Sequence, residues 1–561
     1  MNYCFAPNGT EMTFLSVQAE IEANPHHHHG SDDKVNMYNL SSREAMFGAL
    51  TERTEFQPYK PIYRAFYSKP ARIFLVREQG ELQLPAVAAG EGLDEGGADE
   101  AADVIDTDVE EATPERVMVA IRSRRGTHQG CVLATLGACL PYHLSLHRTV
   151  KDCPDMYVIC DADDTYVGGP RASVYTDFGT LRTNAKRDCD LESNDDKIKF
   201  FCPAGGTEGI PAEMLANQGG EVLGFKCVGG YVAPCTAAAD VWRVRQLTSA
   251  LAKRFATLAE IDAMQDTEHE TDVRQLRYHF IRRSFNTIPN YWKRIMPPRI
   301  TEPVMAALID PQLRCSTALV AVAEASAAAD QDRWWHEAGL PTSMGGLEVG
   351  GHAATCRSAS VAGVFTCWPR LRATRPCLAA VDLATADAKW VTLTTAVAHY
   401  EAIRAEHRRI ADIYAEYADV IYYTIRGGKR EGKFRPSKLP LLTSLPPIAE
   451  VFNPESKIRP PQQRALSMVG HHRRWLQGYA AAAAVDQVSG HKTRNREATR
   501  FIAVSQEGAG GWLDLTPDGT YGTKLTSPEF AVMLQRRGGL DISEARAAFD
   551  ALEARGVSLT P

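Results

Sequence analysis

The chain has 561 residues, 44% of them hydrophobic and 23% charged, which is long enough for several domains with real cores. A formal net charge of −7 conceals strong segregation: Glu78–Glu115 holds thirteen Asp/Glu and no Lys or Arg, while Arg426–Arg500 holds fifteen Lys/Arg against five Asp/Glu, so the overall balance names no partner. Thirteen cysteines without one Cys-x-x-Cys pair exclude a zinc finger, and no stretch of 18 apolar residues offers a membrane span.

The N-terminal MNYCFAPNGTEMTF has no basic n-region or long apolar run and is not read as a signal peptide. With scattered cysteines read as reduced thiols, an intracellular protein of nucleus or cytoplasm is expected, with Cys131, Cys139 and Cys160 as core residues. Pro25-His26-His27-His28-His29-Gly30 is a poor β-former, and its histidines read as a metal site or a tag remnant. Asp33 follows, with an aromatic, Tyr38, five residues on. Asn39–Phe66 reads as helical, at least in its first half, opened by a capping box at Ser41-Ser42-Arg43-Glu44. Arg72–Val76 is a short strand, and the acidic Gly/Ala-rich segment at 78–115 is expected to be a disordered insertion. Val117–Ile121 resumes as a strand, Arg124–Gly130 forms a basic glycine-bracketed turn, and Val132–Leu146 suits a buried helix.

Met156–Ile159 and Thr165–Val167 are β-prone runs separated by Ala162-Asp163-Asp164, which reads as a hairpin with acids at its tip. Side chains alternate across a strand, so such a tip can aim a carboxylate at a bound cation. Alternating strands and short helices to about Val232 make this part α+β. Beyond Asp240, Val244, Leu247, Leu251, Phe255, Leu258 and Ile261 fall at helical spacing, with Lys253 and Arg254 off that face. A second helix is expected at about Asp272–Phe285, carrying Arg277, Arg282 and Arg283, with Pro297-Pro298 ending this region. Further helical sections are expected at about Ala386–Tyr423 and Pro528–Gly556, with a proline-rich basic linker at Gly427–Pro461.

Four segments, in order and correctly spaced, carry a resemblance. Asp33-Lys34-Val35-Asn36-Met37-Tyr38-Asn39 matches a palm motif Asp-x-x-Asn-Ala-Phe/Tyr-Asn with Met37 for Ala. Arg125–Leu133 matches Arg-Gly-x-x-Gln-Gly-x-x-Leu, Asp161–Asp164 matches Phe/Tyr-Ala-Asp-Asp except at the aromatic, and Leu191, Asn194 and Lys197 match Leu-x-x-Asn-x-x-Lys. Leu223-Gly224 is similar to the start of a primer-grip turn. The chain therefore resembles a reverse transcriptase of the non-LTR (LINE-like) retrotransposon class over about 8–235, less closely to about 365 and faintly beyond.

That resemblance implies an α+β right-hand polymerase palm followed by a helical thumb. In its terms 1–235 is a fingers remnant with the palm, 236–345 thumb-like, 346–425 helical, 426–500 a basic linker and 501–561 a small helical end. It implies an RNA-directed DNA polymerase with RNA template, DNA primer and dNTPs as partners. Asp33, Asp163 and Asp164 would bind two Mg²⁺ ions, with Mn²⁺ as a substitute, to acidify the primer 3′-hydroxyl and offset charge on pyrophosphate. Tyr38 would exclude a 2′-hydroxyl, Arg125, Gln129, Gly130 and Asn194 would line the nucleotide and template site, and Lys197 would protonate pyrophosphate. Plainer readings stand beside these: Tyr38 as a core aromatic, Lys197 as a surface lysine, and Asp-Asp as a solvated turn. Asp161 in place of the aromatic, and only 32 residues before Asp33, lead to the expectation of a product truncated at the fingers. The alternative is a non-catalytic nucleic-acid-binding retroelement remnant.

Overall fold

The structure is a computed structural model describing residues 3–69, 71–78, 116–123, 125–127, 131, 133–205, 207–215, 223–263, 273–321, 335, 337–344, 346–383, 387–416, 423–424, 433–434, 445–452 and 460–488. Two compact units emerge: Met1–Gly9 with His26–Val222, and Thr10–Pro25 with Leu223–Pro561. The helix α1 (Gly9–Ala23) lies almost wholly in the second. Helices with small antiparallel sheets make an α+β chain, as the sequence leads one to expect. No helix among the described residues is long and apolar enough to cross a membrane.

The first unit is built around β1 (His28–Asp32). After it come α2 (Met37–Leu40), α3 (Arg43–Glu52), α4 (Lys60–Tyr67), β2 (Ala71–Glu78), β3 (Arg116–Ser123) and α5 (Ala134–Asp152). Then follow β4 (Tyr157–Asp161), β5 (Asp164–Gly169), α6 (Val174–Cys189), β6 (Lys199–Phe201) and α7 (Ala212–Leu215). The main sheet has the order β4-β5-β1-β6 and every pairing is antiparallel. Val158, Cys160, Val167 and Phe200 from the sheet pack with Tyr142 and Leu146 of α5 and Phe178 and Leu181 of α6. Cys139 and Cys160 are buried as expected, whereas Cys131 is only half-buried.

His28 and His29, from the run expected to make a poor strand, open an inner strand of this sheet. Tertiary partners override its weak propensity. His28 Nδ1 meets the Tyr175 hydroxyl at 2.6 Å, His29 Nδ1 meets the Tyr157 hydroxyl at 2.7 Å, and a Cβ on Gly30 would strike the Phe200 ring. His28 and His29 face opposite sides of the sheet and are each bound to a tyrosine, and among the described residues no cluster of three or more metal-ligating side chains forms there.

The span Asn39–Phe66 is broken rather than continuous: a 3₁₀ turn at Thr54–Tyr59 separates α3 from α4. Ser42, not Ser41, caps α3 by accepting from the Ala45 amide at 3.2 Å. Ser41 instead ends α2, and its carbonyl accepts from Gly126 N. β2 and β3 pair from Ala71↔Ser123 to Glu78↔Arg116, so residues 79–115 leave and return at the tip of one hairpin. That acidic segment lies outside the described residues.

The second unit begins with the hairpin β7 (Phe225–Cys227) and β8 (Gly230–Val232). It continues with α8 (Ala237–Asp262), α9 (Val273–Arg283), α10 (Asn290–Ile295), α11 (Pro298–Val304) and α12 (Asp310–Ala321). Pro298 opens α11 rather than ending the region, since a proline at the first helical turn sacrifices no hydrogen bond. In α8, Leu247, Leu251, Phe255 and Leu258 are buried, with Lys253 and Arg254 exposed, as the spacing requires. The helix His352–Thr374 is buried on most of its surface, and Val391–Glu416 extends the helical part. Gln463–Val488, inside the stretch read as a basic linker, is a 26-residue helix with Leu466, Val469 and Trp475 buried. Those anchors are sparse among basic residues and follow a proline run, which hid the period. The expected helix at Pro528–Gly556 lies outside the described residues.

Candidate active site

The acid hairpin forms as its sequence implies. Asp161 pairs with Asp164 across a two-residue connection, Ala162-Asp163. Ala162 is in the left-handed region at φ 58°, which favours glycine. The turn is held by its own strands: Cys160 Sγ donates to the Ala162 carbonyl at 3.0 Å, and Thr165 Oγ1 reaches the Asp163 carbonyl at 3.5 Å.

The register also carries Asp33 to this tip. Asp32, the last residue of β1, lies opposite Thr165, the second residue of β5. One step further, Asp33 stands at the level of Asp164, with its side chain turned to the face opposite Asp32. The segment containing the fourth motif is tied to the same place. Lys34 bridges to Ser193, Val35 N donates to the Glu192 carbonyl at 2.9 Å, and Asn194 N donates to the Asp33 carbonyl at 2.8 Å. Lys197 N closes the turn on the Asn194 carbonyl, and Lys197 Nζ lies 2.5 Å from Asp33 Oδ2.

The electrostatics join these groups. Burial pushes the Asp163 carboxyl above the usual carboxylate range, with the charge of Asp33 adding and Lys197 opposing. The bond to Asp33 raises the Lys197 ammonium, and Asp163 and Asp164 add to that. Four residues from three separated segments thus sense one another. Among the described residues no three His, Cys, Asp or Glu side chains are gathered closely enough to cage a metal ion. Mg²⁺ needs only one or two carboxylates when substrate phosphates complete its shell. The charges of Asp33 and Asp163 oppose each other, and the Lys197 ammonium pairs with Asp33.

Tyr38, on α2 directly after Asp33's segment, is half-buried against the core cluster, and burial raises its phenol, with Asp163 among the lesser causes. It is neither a buried core aromatic nor a free surface residue. The Arg125-Gly126-Thr127 segment docks on it: Thr127 N donates to the Tyr38 carbonyl at 2.5 Å, and Gly126 N to the Ser41 carbonyl at 2.9 Å. Gly126 has φ 63°, and a Cβ there would lie 2.2 Å from the Tyr38 carbonyl oxygen, so only glycine permits this approach. Arg125 is engaged structurally, donating to the Leu40 carbonyl at 2.9 Å and pairing with Asp190. Gln129 and Gly130 lie outside the described residues.

Sequence reading missed three participants. Asp190 caps α6 in the left-handed region and pairs with Lys186 at 2.6 Å as well as Arg125; the Lys186/Asp190 spacing was its only signal. Asp32 and Lys34 form a buried ion pair, signalled only by their flanking positions around Asp33.

A scan of protein-family models found no match, and a comparison with curated proteins also found none. Among solved structures, telomerase from Candida albicans in complex with a TWJ fragment of telomeric RNA matches at 10% identity and a TM-score of 0.24. The match covers 66% of this chain and 54% of the telomerase chain, so it extends over about half the length of that protein. At such a score the likeness carries no argument for fold or function, and the site's own geometry must.

Proposed function

We propose that the first unit carries the nucleotidyl-transfer site of an RNA-directed DNA polymerase from a non-LTR-type retroelement. One observation carries this reading: Asp33, one residue past the end of β1, and Asp163-Asp164, at the β4–β5 tip, are joined electrostatically with Lys197, though they come from distant parts of the chain. Asp33 and Asp163, with Asp164 beside them, would hold the divalent cations, Mg²⁺ or Mn²⁺, whose bound charge acidifies a primer 3′-hydroxyl and offsets charge on the leaving pyrophosphate.

The protein's own groups supply the rest. Lys197 is held charged by Asp33, and a proton on its Nζ can pass to the pyrophosphate oxygen as it leaves. Tyr38, whose backbone is held by the Gly126 turn, would be the residue that excludes a 2′-hydroxyl. Asn194 fixes the backbone of Asp33. Arg125 supports the site by holding the end of α2 to the end of α6. Exposed Lys253 and Arg254 on α8 suit a sequence-independent grip on nucleic-acid phosphates.

A second reading, a nucleic-acid-binding remnant without catalysis, is favoured by Asp161, whose carboxylate stands directly across from Asp164 where a like charge is unfavourable. One experiment separates the two. The full chain is given an RNA template, a DNA primer, dNTPs and Mg²⁺, beside its Asp163→Ala variant. The polymerase reading requires extension by the wild type and a loss of about 10³-fold or more in the variant, with template binding retained. Equal extension by both, or none by either with binding intact, sinks it.

A further inference from the structure

Asp33 is flanked by two residues of opposite charge that both point away from it. Alternation at the strand end turns Asp32 and Lys34 to the core side and Asp33 to the site side. The side chains of Asp32 and Lys34 have no exposed area, and Lys34 Nζ lies 2.6 Å from Asp32 Oδ2. The same ammonium donates to Ser193 Oγ at 3.0 Å and stands 5.6 Å from the centre of the Tyr142 ring. The Tyr142 hydroxyl meets Thr165 Oγ1 at 2.8 Å, and Thr165 is both the partner of Asp32 in β5 and the residue after Asp164.

Stability does not account for this arrangement. A fully buried ion pair is often no better than an apolar pair of equal volume. Asp32 Oδ1 also has no hydrogen-bond partner among the described residues, so Lys34 alone compensates that carboxylate. What ions provide and methyl groups do not is direction. Lys34 links the end of β1 to Ser193, and Ser193 lies between Glu192 and Asn194, whose backbones bond to Val35 and Asp33. The loop so fixed is the one that delivers Lys197 to Asp33.

We propose that the buried Asp32–Lys34–Ser193 linkage positions Asp33 against Lys197 and the acid hairpin, and thereby sets how tightly the site holds a divalent cation. These are positioning residues; they touch the site only through the backbone of Asp33 and Asn194. The cation role rests on the function proposed above, so the test reads cation binding separately from polymerisation.

Mn²⁺ binding to the full chain is measured by electron paramagnetic resonance for the wild type, Asp33→Asn, Ser193→Ala, and the double variant Asp32→Leu with Lys34→Met. The double variant is expected to melt near the wild-type temperature and to bind Mn²⁺ about 10-fold more weakly, the scale on which supporting groups tune metal sites. Ser193→Ala, which removes one bond and leaves the ion pair, is expected to weaken binding about 3-fold and to speed amide exchange at Asn194 and Lys197. The Mg²⁺ concentration for half-maximal extension should rise by the same factors. A folded double variant with wild-type Mn²⁺ affinity overturns the proposal. If the double variant does not fold, unchanged affinity and exchange in Ser193→Ala overturn it. A wild type that binds Mn²⁺ through Asp33 but extends no primer overturns the polymerase reading alone, and one that binds none overturns both.

Discussion

Two hairpins, one in each unit, turn through two residues under different support. β4–β5 turns through Ala162-Asp163, and β7–β8 turns through Val228-Gly229; in each the first central residue is a non-glycine at positive φ, 58° and 40°. A β-branched residue in that region is a true outlier. In β7–β8 helix α10 holds the strain: Trp292 Nε1 donates to the Gly229 carbonyl at 2.9 Å and the Tyr291 hydroxyl to the Val228 carbonyl. Arg254 stacks 5.0 Å over Trp292, and a Cβ on Gly230 would strike Ile295 and Phe14. The acid hairpin is held by its own Cys160 and Thr165 and, from behind, by Tyr3 N donating to the Cys160 carbonyl at 2.8 Å. On the function proposed here, a tip that receives substrate is held from behind, whereas a tip that serves as a structural corner can be gripped by bulky aromatics.

That contrast can be broken at several scales. The largest expected effect is Asp163→Asn, which removes a site charge and keeps the shape of the side chain. Steady-state extension should fall about 10³-fold while the melting temperature holds, whereas Trp292→Phe should keep measurable extension. Next is the pH response of α10 itself. Lys293, beside Trp292, is buried, bonded to His352 Nδ1 at 2.9 Å and Thr355 Oγ1 at 3.0 Å, and burial pushes its ammonium down to about 8. Arg474 pushes the same way, while Cys356 and Asp310 oppose. Between pH 8 and the ordinary 10.5 the unfolded chain binds this proton and the folded chain does not, so stability rises with pH across that window. Chemical denaturation of wild type against Lys293→Met should show the wild type gaining up to about 3 kcal/mol over it between pH 7.5 and 10.5; parallel curves would refute the assignment.

Smaller again, Trp292→Phe should lower stability by about 1–3 kcal/mol by leaving the Gly229 carbonyl unpaired, read as a shift of the denaturation midpoint. Smallest, Ala162→Gly and Val228→Gly should each stabilise by about 0.5–1 kcal/mol through relief of positive-φ strain, partly offset by backbone entropy. A gain at Val228 without one at Ala162 would mean that the acid hairpin stores no strain.

The parts of the site legible in sequence were those whose signal is local. Two β-prone runs around Ala162-Asp163-Asp164 announce their own hairpin, and Leu247 to Leu258 announce the buried face of α8. The meeting of Asp33 with Lys197 is long-range, and only the order of motifs pointed to it. β1 was illegible because its stability comes from Tyr157 and Tyr175, about 130 to 150 residues away and invisible to any local propensity. Nothing local marks Lys34 as buried, because burial of a charge is decided by partners, here Asp32 and Ser193, that composition cannot place.

The β2–β3 ladder has a consequence for evolution and engineering alike. Its final rung, Glu78↔Arg116, brings the two ends of the acidic segment to adjacent strand positions. Closing a longer loop from such a doorway adds only about 0.6 kcal/mol per doubling of its length. A tight Asn-Gly turn could join Glu78 to Arg116 and keep the ladder's register. That rung is the natural port for a graft, a tag or a deletion.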